Sequence, residues 1–165
     1  MGPRERPRGV RGEAPSKMTI SEFRLTRRVH FYETDAAGIV HFSVFFRYME
    51  EAEHAMWRAA GLSITAPGAS IGFPRVATSF DYLKPLRFED EFEVWLRVTA
   101  KTAKSLSYSA TIEKDGTTLA RGTLTVACVC KRPGEPMRGT EIPADIADRF
   151  AVAARELSEG DETDR

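Results

Sequence analysis

Residues 31–50 read FYETDAAGIVHFSVFFRYME and contain the two features on which the fold depends. The first is a polar turn that follows an alternating apolar segment and holds Asp35. The second is the start of an amphipathic helix, predicted over 44–60 from apolar residues at i, i+3, i+4 and i+7. Ser43 is a candidate N-cap, and Gly61 fits the position after the helix. We therefore expect a strand, a carboxylate-bearing turn and a long helix in direct succession.

Segments with strand character flank this region on both sides. Alternation predicts a first strand within residues 22–33, and a loop is predicted over 62–72. Four more strands are predicted from alternating or apolar runs bounded by turn residues, namely 73–82, 91–101, 104–114 and 117–131. The pair Asp115-Gly116 supports the positive φ angles of a tight hairpin. A short terminal helix is predicted over 143–157.

The short turns between the later strands require antiparallel neighbours. The predicted fold class is therefore α+β, with one curved antiparallel sheet wrapped around one long helix, and a short C-terminal helix. One helix covers only part of a sheet face, and the edge strands of such a sheet need pairing or protection. We therefore expect a homodimer or a dimer of dimers.

The bulk composition is typical of a single globular domain. The chain has 165 residues, is 42% hydrophobic and has a formal net charge of +0, so global charge gives no argument for nucleic acid or a membrane surface. No stretch approaches the roughly 18 apolar residues of a membrane-spanning helix. Residues 1–17 are basic and residues 156–165 acidic, so both are expected to be disordered tails around a domain at 18–155. A nucleic-acid-binding arm is the alternative for the basic tail.

Cys128 and Cys130 lie two apart in a predicted strand, where such neighbours rarely form a disulfide. We expect both to be reduced, in a cytoplasmic protein. Glu50 and His54 have the i, i+4 spacing of a helical metal pair, but no third ligand accompanies them. The sequence contains no phosphate-binding loop, dinucleotide fingerprint or Gly-x-Ser-x-Gly elbow. We therefore predict neither a metal nor a bound cofactor.

The turn and the helix start also suggest a chemistry. A carboxylate beside the backbone N–H groups of a helix start would form an anion-binding pocket next to a nucleophile or general base. Such a pocket suits attack on an activated carbonyl. The alternative for Asp35 is a structural cap of the turn or of the helix.

A specific pattern runs through this stretch: Phe31, then Glu33, then Asp35-Ala36-Ala37-Gly38-Ile39-Val40, then His41-Phe42, then Tyr48-Met49-Glu50. In this pattern the region 29–62 resembles the hotdog-fold acyl-CoA thioesterases. The resemblance is to the 4-hydroxybenzoyl-CoA thioesterase group and to the thioesterases encoded with the Tol-Pal envelope system. A less specific match, Tyr82-x-x-Pro85-x-x-Phe88-x-Asp90, extends it. The resemblance implies a hotdog fold and hydrolysis of an acyl-CoA thioester.

The same resemblance implies roles for individual residues. Asp35 would act as nucleophile or general base, and the backbone N–H of Phe42 would contact the oxyanion. Glu50 would orient the site or support the partner subunit, or else lie on a solvated helix face. The Tol-Pal-associated members carry a histidine where this chain has Phe42. His41 is therefore one position out of register, and we expect it to matter less than Asp35.

The resemblance places the remaining substrate contacts at Gly38, Ile39, Val40, Phe45, Phe46, Lys104 and Ser105. The two phenylalanines would hold an acyl group, or else belong to a dimer core. The basic turn would bind CoA phosphates, or else be ordinary surface charge.

Two other functions stay open. An enoyl-thioester hydratase of the same fold would place an aspartate and a histidine about five residues apart, whereas Asp35 and His41 are six apart. The second is a non-catalytic module that binds acyl-CoA or another protein.

Overall fold

The computed structural model describes residues 18–155, and the predicted tails at 1–17 and 156–165 lie outside them. The described residues form eight strands and two α-helices, with a 3₁₀ turn at Phe31–Glu33. In chain order they are β1 (Glu22–Arg28), α1 (Val44–Ala59), β2 (Ile71–Gly72), β3 (Arg75–Tyr82), β4 (Glu91–Lys101), β5 (Ser105–Lys114), β6 (Thr117–Ala127), β7 (Val129–Cys130), β8 (Arg138–Gly139) and α2 (Ala144–Ala147).

The main sheet has five strands in the order β1-β4-β5-β6-β3, and all neighbouring strands are antiparallel. A second small sheet contains β2, β7 and β8. Asp115 and Gly116 both have positive φ, 49° and 74°, and connect β5 to β6 as the sequence predicts. The predicted α+β class, with one antiparallel sheet, one long helix and a short C-terminal helix, is confirmed.

The core lies between α1 and the sheet. Every second residue in most of β4 and β5 is buried, which is the period expected when one sheet face is covered. The helix packs against β1 and β4 and buries Tyr48, Met49, Ala52, Met56 and Trp57. Full burial of such an apolar side chain contributes roughly 1.5–3 kcal/mol each.

Three predicted elements are shorter than expected. The first strand ends at Arg28, because the Glu33 carboxylate and the N–H of Glu33 both bond to the backbone of His30 and form a tight turn. The strand predicted over 117–131 breaks at Cys128, whose N–H donates to the carbonyl of Lys104 at 2.7 Å. The residues that follow the break join the small sheet.

The predicted helix over 143–157 is reduced to four residues, Ala144–Ala147. The chain after it is extended, because Ala151 donates to the carbonyl of Ile20 and Ala153 to that of Val98. Hydrogen bonding to the main sheet therefore replaces the helix. The predicted loop over 62–72 ends in β2, and β8 was not predicted.

Two further expectations concern the chain as a whole. Both cysteines are free thiols, and Cys128 is buried, as predicted. Within residues 18–155, no helix has the length and apolar character needed to cross a bilayer.

Candidate active site

The segment from Thr34 to Val40 folds into a narrow hairpin just before α1. Thr34 and Val40 form an antiparallel bridge, and the N–H of Asp35 donates to the carbonyl of Ile39 at 2.9 Å. The turn closes through a bond from the Gly38 N–H to the Asp35 carbonyl at 3.0 Å. Gly38 has a φ of 76°, which a side chain would strain. Local turn chemistry therefore fixes the backbone that carries Asp35.

The carboxylate of Asp35 is held by its own turn. The Ala37 N–H donates to Oδ1 of Asp35 at 2.8 Å. Among the described residues, Oδ2 has no hydrogen-bond partner. The capping role that the sequence left open is therefore present, and it leaves one carboxylate oxygen available to a ligand.

The start of α1 supplies backbone N–H groups beside this carboxylate. In the part of the chain that the structure describes, no acceptor bonds to the N–H of Phe42. The Tyr82 hydroxyl donates to the Phe42 carbonyl at 2.8 Å and holds this backbone in place. The unused N–H of Phe42 is therefore a fixed donor at the positive end of the helix dipole.

Ser43 does not cap the helix, contrary to the prediction. Its backbone angles are already helical, and its side chain makes no capping bond. Its hydroxyl lies 2.8 Å from Nδ1 of His41, and its own N–H donates to the same nitrogen at 3.3 Å. The imidazole of His41 therefore satisfies an N–H at the helix start.

A pocket of about 540 Å³ opens between this hairpin and the segment after β3. Backbone contacts join its two walls: Val40 N–H donates to the Leu86 carbonyl at 2.8 Å, and Ile39 bridges Arg87. The lining is mainly apolar and comprises Asp35, Ile39, Val40, Phe42, Phe45, Tyr82, Leu83, Lys84, Pro85 and Arg87.

The structure brings together part of the predicted site. Asp35, Ile39, Val40, Phe42 and Phe45 all line the pocket. Gly38 shapes the turn without lining it, and the His41 ring is engaged with Ser43. Their predicted roles stay predictions.

The other predicted residues lie elsewhere. Phe46 and Glu50 line a separate surface pocket of about 580 Å³ on α1, and a carboxylate oxygen of Glu50 lies 4.0 Å from Arg75. Lys104 is in the turn between β4 and β5, and Ser105 is the first residue of β5, with its hydroxyl 2.6 Å from that of Thr102. The whole length of β4, about 35 Å, separates that turn from the strand end near the hairpin.

One wall of the pocket, the segment from Tyr82 to Arg87, is not among the site residues predicted from the sequence. The sequence predicts this segment only as a connection after a strand. The Tyr82-x-x-Pro85 pattern of the resemblance is the signal that could have identified it. The segment adds two cations, Lys84 and Arg87, to the lining.

A buried carboxylate lies behind the hairpin. Glu33 is 4% exposed and receives bonds from Arg27, with Nη2 at 2.6 Å from Oε1 and Nη1 at 2.9 Å from Oε2. The Tyr48 hydroxyl donates to Oε2, and the His30 N–H does so at 3.3 Å. Burial alone would raise the pKa of Glu33, but the bonds from Arg27, Tyr48 and His30 outweigh it and lower the pKa.

Among the described residues, no cluster of three or more His, Cys, Asp or Glu side chains could hold a metal ion. The predicted absence of a metal and of a bound cofactor stays a prediction.

Comparison with known proteins gives consistent matches. Residues 29–150 match the family model described as the thioesterase-like superfamily. The acyl-CoA thioester hydrolase YbgC of Escherichia coli is 28% identical over 137 residues, which are 81% of this chain and 98% of that protein. The 1,4-dihydroxy-2-naphthoyl-CoA hydrolase of Crocosphaera subtropica is 32% identical over 75 residues, 44% of this chain and 55% of that protein. A crystal structure of a hypothetical protein from Aquifex aeolicus aligns with a TM-score of 0.71 at 30% identity, covering 76% of this chain and 97% of that one.

Proposed function

The chain belongs to the thioesterase-like superfamily, and on that premise we propose which residues perform its reaction and on which substrates. The protein is a thioester hydrolase with a hotdog fold. We propose that it hydrolyses an acyl-CoA to a free acid and CoA, with Asp35 and the N–H of Phe42 as the reacting groups. One observation carries the proposal: both residues line the same pocket, each with an unused hydrogen-bonding position.

In the proposed mechanism, the thioester carbonyl lies between Asp35 and the start of α1. As a general base, Asp35 takes a proton from water while the water oxygen attacks the carbonyl carbon. The carbonyl oxygen becomes an oxyanion and accepts the hydrogen bond of the Phe42 N–H. Collapse breaks the carbon–sulfur bond, and the CoA thiolate leaves and takes up the proton. As a nucleophile, Asp35 would attack the carbonyl carbon itself, and the carbon–sulfur bond would break as the CoA thiolate leaves. Water would then hydrolyse the resulting anhydride to the free acid and Asp35.

The cations of the pocket suggest where the charged part of the substrate binds. Lys84 and Arg87 line the pocket with Asp35, and within residues 18–155 neither side chain has a salt-bridge partner. Both can reach a phosphate of CoA at the pocket mouth. Lys104 and Ser105, the original prediction for these phosphates, would need the partner subunit or an extended ligand to take part.

The apolar wall suggests the acyl group. Phe42, Phe45 and Tyr82 offer aromatic faces to an aryl or short acyl chain. The naphthoyl substrate named for the Crocosphaera relative is of this kind. We propose that the chain is nearest the 4-hydroxybenzoyl-CoA thioesterase group, because Phe42 replaces the histidine of the Tol-Pal-associated members.

The edge of the main sheet supports the proposed dimer. All residues of β3 except Phe80 are exposed, and among residues 18–155 no strand pairs with its outer side. An open edge with exposed Val76 and Leu83 is suited to pairing with another strand. We propose that two copies pair through β3 and that the protein is cytoplasmic.

The test is thiol release from a panel of acyl-CoA esters in the presence of a thiol reagent. Wild-type protein should release CoA, and Asp35→Asn should lower kcat by about three orders of magnitude, as expected when an acid–base or nucleophilic group is lost. His41→Ala should lower kcat far less. Wild-type protein that binds CoA but releases no thiol would contradict the proposal, and so would water addition to an enoyl-CoA without hydrolysis.

A single turnover in ¹⁸O-labelled water separates the two roles of Asp35. Label in the carboxylate of Asp35 indicates the anhydride route. Label in the released acid alone is the result of general-base attack, and also of an anhydride that water attacks at its acyl carbon, so label in Asp35 is the decisive outcome.

A further inference from the structure

Glu33 is a buried carboxylate that the proposed mechanism does not use. It ends the 3₁₀ turn and connects three parts of the molecule. Arg27 belongs to β1, Tyr48 belongs to α1, and the His30 N–H belongs to the turn itself. The guanidinium of Arg27 also lies 4.8 Å from the centre of the Tyr48 ring, so strand and helix pack together at this carboxylate.

The backbone of Glu33 closes the base of the Asp35 hairpin. Its carbonyl accepts the His41 N–H at 2.9 Å. Asp35 is two residues after Glu33, and Phe42 is one residue after His41. The two reacting groups therefore lie within two residues of the ends of one backbone hydrogen bond.

The side chain and the backbone of Glu33 thus both hold the Asp35 hairpin in position. The carboxylate fixes Glu33 against β1 and α1, and the carbonyl fixes the far end of the hairpin against Glu33. A rotation of this residue would move Asp35 relative to the N–H of Phe42. Misplacement by about 1 Å can lower a rate roughly 100-fold.

We propose that Glu33 is a positioning residue for the hydrolysis, which holds the Asp35 carboxylate and the Phe42 N–H at their reactive separation. This inference rests on the proposed function. Glu33 does not line the pocket, so it acts through these two groups and without contact to substrate.

The first test is Glu33→Gln, which keeps the shape of the side chain and removes its charge. We expect kcat to fall roughly 10- to 100-fold while KM stays within about threefold, because the binding walls are unchanged. Hydrogen exchange of residues 34–42 should become faster. Both measurements are made well below the melting temperature of the variant.

Two controls separate positioning from a general loss of stability. Glu51→Gln removes another partner of Arg27, at 2.7 Å, on an exposed side chain with no bond to the hairpin. Leu106→Ala opens a cavity in β5, where Leu106 is opposite Lys101 at the end of β4 remote from the site. Each should keep kcat within about twofold of wild type, although Leu106→Ala should lower the melting temperature clearly.

The outcomes of these experiments distinguish failure of the Glu33 inference from failure of the proposed function. If Glu33→Gln does not fold, Tyr48→Phe serves instead, and its kcat should fall several-fold. A folded Glu33 or Tyr48 variant with wild-type kcat would overturn this inference alone, provided that Asp35→Asn is inactive. An equal loss of kcat in Leu106→Ala would also overturn it. Wild-type protein that releases no thiol would overturn the proposed function and this inference together.

Discussion

Two glutamates are buried in the described part of the chain, and they are in opposite electrostatic situations. Glu33 is 4% exposed and Glu53 0% exposed, and each pairs with one arginine. One oxygen of Glu33 accepts hydrogen bonds from Arg27, His30 and Tyr48, and the other lies 2.6 Å from Nη2 of Arg27. One oxygen of Glu53 bonds to Arg75, whereas the other is buried without a partner.

The pKa values of Glu33 and Glu53 are therefore shifted in opposite directions. The pKa of Glu33 is lowered, because its hydrogen bonds outweigh its burial. Burial raises the pKa of Glu53 to about 7, and the nearby Glu50 adds to this while Arg75 opposes it. Burial alone therefore does not decide the charge of a carboxylate. The number of donors that surround it does.

The two glutamates also contact or belong to different parts of α1. At its first turns, Tyr48 ties the helix to the ionised Glu33 beside the proposed site. Near its middle, Glu53 joins the helix to Arg75 on the open edge strand. The contact between Tyr48 and Glu33 fixes the start of α1 against the turn that precedes the Asp35 hairpin. The contact between Glu53 and Arg75 leaves a carboxyl group that can take up a proton near neutral pH.

The largest expected effect on stability comes from breaking the ion pair between Glu33 and Arg27. Arg27→Met would leave a buried carboxylate with fewer donors, and the free energy of unfolding at pH 7 should fall by roughly 3–5 kcal/mol. Urea denaturation measures this. The neighbouring Arg28→Met is the matched control, because the Arg28–Glu91 pair is exposed on both sides and should contribute less than about 1 kcal/mol. Equal losses in the two variants would contradict the comparison.

The next effect concerns pH and Glu53. The unfolded state loses this proton near 4.5 and the folded state near 7, so wild-type stability should fall as pH rises between these values. The contribution is about 3 kcal/mol at 1.36 kcal/mol per unit. Glu53→Gln should lack it, as measured by urea denaturation from pH 4.5 to 8. Parallel curves for wild type and variant would show that Glu53 is ionised throughout. The charged neighbours of Glu53, Arg75 and Glu50, and the neutral phenol of Tyr108 are the same in both proteins.

The smallest expected effect compares two buried tyrosines. Tyr48→Phe removes a bond to an ionised carboxylate and should lower the free energy of unfolding by about 2 kcal/mol. Tyr108→Phe removes the acceptor of the Trp57 N–H, 3.1 Å away, and should lower it by about 1 kcal/mol. Thermal and urea denaturation at pH 7 measure both. A larger loss of unfolding free energy for Tyr108→Phe than for Tyr48→Phe would contradict the expected order of the two bonds.

Much of the candidate site could be predicted because it is local in sequence. Asp35, Gly38 and Phe42 lie within eight residues, and the bonds that shape their turn join neighbours. The helix that follows has a clear apolar period. The N-cap prediction at Ser43 failed because His41, two residues earlier, has a ring nitrogen that can take the same role.

The rest depends on contacts between distant residues. The break at Cys128 follows from the carbonyl of Lys104, and the short terminal helix follows from bonds to Ile20 and Val98. Helical and strand propensities are weak compared with such hydrogen bonds to a sheet that has already formed. No local sequence pattern identifies these hydrogen-bond partners.

Periodicity and turn geometry act over a few residues, so the strand, the carboxylate turn and the long helix follow from local sequence. Long-range packing, by contrast, decided that the segment from Tyr82 to Arg87 forms the second wall of the pocket. It also decided that Glu33 is ionised while Glu53 holds a proton until pH 7 is approached. The physical reason is the same in both cases. Burial and hydrogen-bond partners are set by residues far apart in the chain, and they are brought together only when the sheet closes over the helix.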